Sequence, residues 1–153
     1  MKILLVHNTY QQSGGEDAVF QHEGKLLEQY GNTVLHETKD NEEINGFIQK
    51  VKTALNTVYS ISAQKAFSHR LKREKPDVVH IHNFFPLFTP AIFYAAKALK
   101  IPTILTLHNY RIICPTALLM HKGKVNERSI KSGPIWTIRH RVYKDSLPGT
   151  VAL

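Results

Sequence analysis

The sequence of 153 residues contains a single cysteine, Cys114, and it lacks long apolar runs. One cysteine excludes a disulfide framework and is typical of a protein from a reducing compartment. No run approaches the roughly 20 apolar residues that a helix needs to cross a membrane. The apolar segment after Met1 is also too short for a signal peptide. These absences predict a cytoplasmic protein that is soluble or attached to the inner face of the membrane.

Acidic residues are also scarce, since 12 Asp and Glu stand against 20 Lys and Arg, for a formal charge of +8. Such a balance favours anionic partners such as nucleic acids, acidic lipids or phosphorylated substrates. The basic residues cluster at 65–75 and at 122–144, where Trp136 and Tyr143 lie among them. Solvated helix faces explain these clusters equally well. No RNA-binding or zinc-finger motif accompanies them, so we expect no nucleic acid partner.

The sequence does contain short apolar strands that alternate with helical segments. Hydrophobic residues make up 42% of the chain, which is enough for one compact domain over 1–153. Strands are predicted at 2–7, 33–38, 78–82 and 101–107, helices at 16–30, 41–59, 62–72, 90–100 and 135–143, and a hairpin at 118–125. Helical spacing places four apolar residues of the first helix on one face, namely Val19, Leu26, Leu27 and Tyr30. In the helix at 62–72 the residues expected to face inward are Ala63, Ala66, Phe67 and Leu71. This alternation predicts an α/β fold with a Rossmann-like parallel sheet and helices on both faces.

Sheets of this kind bind ligands beyond the carboxyl ends of their strands. Gly14 and Gly15 follow the first strand and precede a predicted helix, whose free N–H groups suit phosphate. The spacing is not that of a dinucleotide fingerprint, and an ordinary tight turn explains the pair equally well. Glu16 and Asp17 would stabilise the helix dipole but repel a phosphate placed too close to them.

His80 and His82 lie two residues apart on a predicted strand, so their side chains point to the same side. Two imidazoles can share a metal ion if a carboxylate joins them, and Asp77 and Glu16 are candidates, although no spacing requires either. A metal-dependent hydrolase is therefore one alternative. The simpler interpretation is that one histidine packs at the strand end while the other faces the cleft.

A third polar segment follows the strand predicted at 101–107. His108 can donate or accept a hydrogen bond near neutral pH, and Arg111 can hold an anionic group through two hydrogen bonds. Cys114 precedes a proline and has no fixed base beside it. We therefore expect Cys114 to be buried packing and not a nucleophile.

Taken together, three segments resemble the retaining glycosyltransferases of family 4. They are the start of the chain through Asp17, residues 75–83 and residues 107–115, and the resemblance extends from Met1 to about Tyr143. It implies the GT-B architecture, in which two Rossmann-like domains face each other across a cleft. This chain would be the N-terminal, acceptor-side domain. The C-terminal donor-binding domain has no counterpart in the sequence, and the apolar segment 148–153 suggests a fragment of a longer chain.

The resemblance also implies roles for individual residues. His108 would be the catalytic residue beside the donor sugar, and Gly14 and Gly15 would approach the donor phosphates. The residues expected on the acceptor side are His82, Asn83, Asn109 and Arg111.

The implied reaction transfers a sugar, with retention, from a nucleoside diphosphate sugar to a glycan or lipid-linked acceptor. It requires no cofactor and no metal ion. A half-cleft supplies one wall of the site, so we predict that the chain alone is inactive. A stand-alone binding module for anionic glycan, lipid or nucleotide is the other alternative. The basic stretches would contact anionic lipid or a charged acceptor.

Overall fold

The computed structural model describes residues 1–9, 14–40 and 58–152. The chain divides into two compact units, Met1–Thr106 and Leu107–Leu153. Ser13 and most of the helix predicted at 41–59 lie outside the described residues. No helix within the described ranges is long and apolar enough to cross a bilayer.

The first unit is built on a parallel four-stranded sheet with the strand order β2-β1-β3-β4. Its strands are β1 (Lys2–Thr9), β2 (Thr33–Asp40), β3 (Val78–Asn83) and β4 (Thr103–Leu105). Its described helices are α1 (Gly15–Gln29), α2 (Ile61–Glu74) and α3 (Ala91–Ala98). The predicted α/β, Rossmann-like fold is therefore confirmed.

Helices cover both faces of this sheet because successive residues of β1 point to opposite sides. On one face, Leu4 packs with Phe67 of α2 and Ile92 of α3. On the other face, Leu5 packs with Phe20 of α1. Full burial of a large apolar side chain contributes about 1.5–3 kcal/mol to the free energy of unfolding, so these two layers hold the helices against the sheet.

Helix α1 is present, but its predicted apolar face is only partly right: of the four predicted residues, Leu27 packs against the core that contains Phe20, and the other three are exposed. Val19, Leu26 and Tyr30 are 44%, 51% and 79% exposed, whereas Phe20 and Gly24 are buried. Two stripes of the helix carry apolar residues, and periodicity alone does not decide between them. The stripe that contains Phe20 is inward because its ring fits against β1 and Gly24 lets the helix backbone approach the sheet.

Two smaller predictions also need correction. In α2, Ala63, Phe67 and Leu71 are buried as predicted, whereas Ala66, which was also expected to face inward, is exposed. The fourth strand is shorter than the predicted 101–107, and Ile104 at its centre is 52% exposed. That strand pairs with β3 alone within the described part of the sheet.

The second unit contains a hairpin and two short helices, β5 (Met120–His121), β6 (Lys124–Val125), α4 (Arg128–Arg139) and α5 (Leu147–Ala152). The predicted hairpin is confirmed. Gly133 interrupts α4 with φ 61° and ψ −158°, and the helix ends at Arg139, before the predicted Tyr143. Cys114 is buried as expected, in a small core with Leu119, Val142 and Trp136.

Candidate functional site

The strand order identifies the edge of the sheet at which a ligand is expected. The chain leaves β1 toward β2 on one side, and it later returns to add β3 and β4 on the other side. Open α/β sheets bind ligands where this reversal occurs, at the carboxyl ends of the strands. Here the reversal lies between β1 and β3, next to Gly14 and Asn83.

Asn8 and Asn83 join the carboxyl ends of these two strands. The Asn83 amide nitrogen donates to the Asn8 carbonyl oxygen at 2.9 Å, and its amide oxygen accepts from the Phe85 N–H at 3.1 Å. The Asn8 side-chain oxygen accepts from the Leu87 N–H at 3.1 Å. Both asparagines are buried. Asn83 therefore fixes the loop after β3, and its contact with an acceptor stays a prediction.

Gly14 and Gly15 leave open space beside the start of α1. A Cβ atom at Gly14 would meet only the Asp17 Oδ2 atom at 4.0 Å, and one at Gly15 would meet nothing within 4 Å. The packing of the chain itself therefore does not require glycine at either position. The Gly14 N–H donates to Asp17 Oδ2 at 2.6 Å, so Asp17 already occupies this donor. The predicted approach to the donor phosphates is not tested by this geometry.

Asp17 also connects α1 to the interior of the sheet. Its Oδ1 atom lies 2.8 Å from Nε2 of His7, whose side chain is fully buried in β1. The sequence predicted only a dipole effect for this carboxylate. It did not reveal the pairing, because the partners are brought together by the packing of α1 on β1.

His7 belongs to a group of rings that α1 covers. The His7 ring stacks on Phe20 with centroids 4.8 Å apart, and the His82 ring meets Phe20 edge-on at 5.4 Å. The His80 and His82 rings lie 4.6 Å apart. Both histidines are buried, so the expectation that one of them faces an open cleft is wrong: α1 lies over the face to which both point.

Glu23 of α1 completes this arrangement. Its Oε1 atom lies 3.0 Å from His80 Nδ1, and its Oε2 atom lies 3.4 Å from His82 Nε2. The carboxylates that the sequence suggested do not take part in this cluster. Asp77 lies at the opposite end of β3 and accepts from the Lys2 N–H at 2.7 Å. The position of Glu23 three residues after Phe20, on one helix face, was the signal that could have found it.

The second unit contains His108 and Asn109, which line one concavity. Its volume is about 430 Å³, and its other walls are largely apolar side chains, among them Leu107, Ile112 and Ile113. A mostly apolar concavity with a few polar groups is typical of a small-molecule site. The structure thus places the predicted catalytic histidine beside one of the predicted acceptor-side residues.

Arg111 lines a different concavity of the second unit, of about 480 Å³, together with Ser129 and Thr137 of α4. Its backbone N–H donates to the Asn109 side-chain oxygen at 3.0 Å, which fixes the turn between the two concavities. Cys114 lines the same concavity, and its Sγ atom lies 3.2 Å from the Thr116 hydroxyl. Asn109 and Arg111 therefore do not line the same concavity.

Comparison with known proteins gives one family match. The model of Glycosyltransferase Family 4 matches residues 28–146. Among solved structures, the chain is similar to a co-structure of S. aureus MnaA with UDP, with 16% sequence identity and a TM-score of 0.48. That superposition covers 95% of this chain and 42% of the other, so the chain spans less than half the length of that protein. No curated protein matches the sequence.

Proposed function

Because the chain belongs to Glycosyltransferase Family 4, we propose that it is the N-terminal, acceptor-side domain of a retaining glycosyltransferase. The enzyme transfers a sugar from a nucleoside diphosphate sugar to a glycan or lipid-linked acceptor. The family match carries this proposal, since it covers 28–146 and so includes parts of both compact units. The parallel sheet, with its reversal between β1 and β3, supports it as a scaffold for a nucleotide-sugar site.

The chemistry of the proposed reaction explains why particular groups are needed. The leaving group is a nucleoside diphosphate, so the transition state gains negative charge on phosphate oxygens and positive charge on the sugar. We propose that the open space at Gly14 and Gly15 admits the diphosphate near the start of α1. We propose that His108 binds the donor sugar, and its concavity leaves room for such a ligand.

The acceptor side is proposed to include Asn109 and Arg111 directly. His82 and Asn83 are buried, so we propose that they act as supports: Asn83 fixes the loop after β3, and His82 packs beneath α1 against Phe20. Asn109 and Arg111 would thus contact the acceptor, whereas His82 and Asn83 would hold the site in place. Positioning of this kind accounts for a large part of the rate of a transfer reaction.

The basic stretch at 122–144 is the proposed contact with an anionic surface. The arginines of the other stretch are already paired, since Arg70 lies 3.1 Å from Glu37 and Arg73 lies 3.0 Å from Glu74. In the second unit, Lys131 and Arg139 are exposed on α4, and Ile135 of the same helix is 77% exposed. A basic helix with an exposed apolar residue suits an anionic lipid surface or a charged lipid-linked acceptor.

The proposal is tested with the native-length polypeptide that contains this chain, assayed beside the 153-residue chain itself. Both are incubated with labelled nucleoside diphosphate sugars and with a lipid and glycan extract of the source cells. We expect transfer by the native-length protein, no turnover by the chain alone, and a product whose anomeric configuration matches that of the donor. Inversion of the anomer, or turnover by the isolated chain, would overturn the corresponding part of the proposal.

A further inference from the structure

Three buried or half-buried side chains beneath α1 form a cluster, and two of them, Glu23 and His80, have no role in the transfer proposed above, which uses His82 only as a support. Glu23, His80 and His82 each offer one ligand atom, and these three atoms lie within 4.8 Å of one another. We propose that they bind a divalent transition-metal ion, for which Zn²⁺ is the best match. The site lies wholly in the first unit, so it does not depend on the transferase proposal.

The distances fit an ion of this kind. Zn²⁺ binds imidazole nitrogen and carboxylate oxygen at about 2.0–2.2 Å, so its ligands in a tetrahedron lie about 3.4 Å apart. The Glu23 oxygens lie 3.0 Å from His80 Nδ1 and 3.4 Å from His82 Nε2. All three ligand atoms lie within 4.8 Å of one another, so the bound state requires side-chain rotations that bring them to the tetrahedral spacing. Two imidazoles select zinc, cobalt or nickel over magnesium and calcium, which prefer oxygen ligands.

A second observation points in the same direction. His80 Nε2 lies 2.8 Å from the Thr106 hydroxyl oxygen, on the opposite side of the ring from Glu23. When that nitrogen carries the proton and donates to Thr106, the lone pair of Nδ1 faces the proposed ion. Metal-bound histidines regularly have such a partner for their other nitrogen, because it fixes both the tautomer and the ring orientation.

The burial of the three ligands fits binding from solvent. The His82 side chain is fully buried and the His80 side chain is 9% exposed, whereas the Glu23 side chain is 30% exposed. An ion therefore enters past Glu23. The neighbouring Gly24 keeps α1 close to the sheet, since a Cβ atom there would lie 2.9 Å from His36 Cε1. The bound ion would clamp α1 to β3, and three protein ligands leave a fourth position for water.

The test is a titration of the chelator-treated full chain with ZnCl₂ by calorimetry. We expect one ion per chain. Glu23→Gln keeps the size of the side chain but removes its charge, and it should weaken binding by more than 100-fold. Thr106→Val leaves all three ligands in place and removes the partner of His80, so it should weaken binding by roughly 10–100-fold.

Two exposed neighbours on α1 provide matched controls, Glu28→Gln and His22→Gln, and both should bind Zn²⁺ like the parent chain. Circular dichroism of every variant shows whether its fold is intact, and Thr106→Val decides the matter if Glu23→Gln unfolds. Co²⁺ should give a visible absorption band that Zn²⁺ displaces and that Mg²⁺ does not. The proposal fails if no stoichiometric binding occurs, if Glu23→Gln and Thr106→Val bind normally, or if His22→Gln loses binding equally.

Discussion

At the scale of single residues, the polar side chains at the reversal of the sheet mainly hold the protein together. Asp17 connects the start of α1 to His7, and Asn83 connects the ends of β1 and β3. A residue that follows a strand in the sequence is therefore not automatically a ligand contact. Whether it faces the ligand or the protein depends on which backbone groups nearby need a partner.

Asn83→Ala should lower the free energy of unfolding by about 1–3 kcal/mol, because it removes the buried hydrogen bonds of the Asn83 side chain with the Asn8 carbonyl and the Phe85 N–H. Urea unfolding in the absence of any ligand measures the loss. Gln21→Ala, on the exposed side of α1, is the control and should change stability by less than about 0.5 kcal/mol. If Asn83→Ala is as stable as the parent chain, Asn83 does not stabilise the fold, and a role in ligand binding is favoured instead.

The sequence predicted part of this site and missed the rest for a physical reason. The pairing of His80 with His82 follows from the two-residue period of a strand, and the structure brings their rings together. Their partner Glu23 lies three residues after Phe20, but this spacing identifies it only once it is known which stripe of α1 faces the sheet. Local periodicity determines which side chains of one strand or helix point the same way. Tertiary packing determines which face of a helix lies against the sheet.

At the scale of elements, the strands and helices that the structure describes in the first unit were predicted from the apolar pattern with small errors at their ends. The buried face of α1 was not, because Val19 and Leu26 form an apolar stripe as good as that of Phe20. The central strands β1 and β3 were easier, since both are buried along most of their length and contain runs of apolar residues. In the second unit, α4 is broken at Gly133, which has a positive φ angle. The sequence indicates such a break only by the presence of a glycine, which tolerates this conformation.

The corrected face of α1 gives a comparison within one helix. Phe20→Ala should cost about 3–5 kcal/mol of unfolding free energy, because it removes a buried ring from the layer between α1 and the sheet. Leu26→Ala should cost less than about 0.5 kcal/mol, since Leu26 is 51% exposed. Denaturant unfolding of both variants checks the assignment. A larger loss of unfolding free energy for Leu26→Ala than for Phe20→Ala would show that the face containing Leu26 is the buried one.

The end of α2 predicts a dependence on pH. The pKa of Glu74 is below its usual value, first because the carboxylate accepts a hydrogen bond from Arg73 and then because Arg70 and Lys2 are close. A lowered pKa means that the charged carboxylate favours the folded state above the ordinary value of about 4.3. This contribution is lost as the pH falls through the lowered pKa of the folded state.

Glu74→Gln should therefore be less stable than the parent chain at neutral pH and equally stable at an acid pH below the lowered pKa of the folded state, where Glu74 is protonated in both states. The effect should be small and should shrink in salt, because the group lies at the surface. Glu28→Gln is the control, and thermal unfolding at both pH values measures the difference. A difference that persists unchanged at low pH would contradict the electrostatic explanation.

At the scale of the whole molecule, the charge of +8 gives a prediction about membranes. The chain should sediment with vesicles that contain anionic lipid and not with neutral vesicles, and salt should release it. Lys131→Glu with Arg139→Glu should abolish the binding, whereas Lys65→Glu with Lys72→Glu, in the other basic stretch, should have a weaker effect. Binding that ignores lipid charge would count against a membrane role for α4.

The central claim is that this chain supplies the acceptor side and the catalytic histidine of a glycosyltransferase. The most direct measurement is sugar transfer by the native-length protein, with His108→Ala beside the parent and His22→Ala as an exposed control. The account predicts transfer by the parent and by His22→Ala, and a loss of about 10²–10³-fold in kcat for His108→Ala. No transfer from any nucleoside diphosphate sugar, or full activity of His108→Ala, would contradict it.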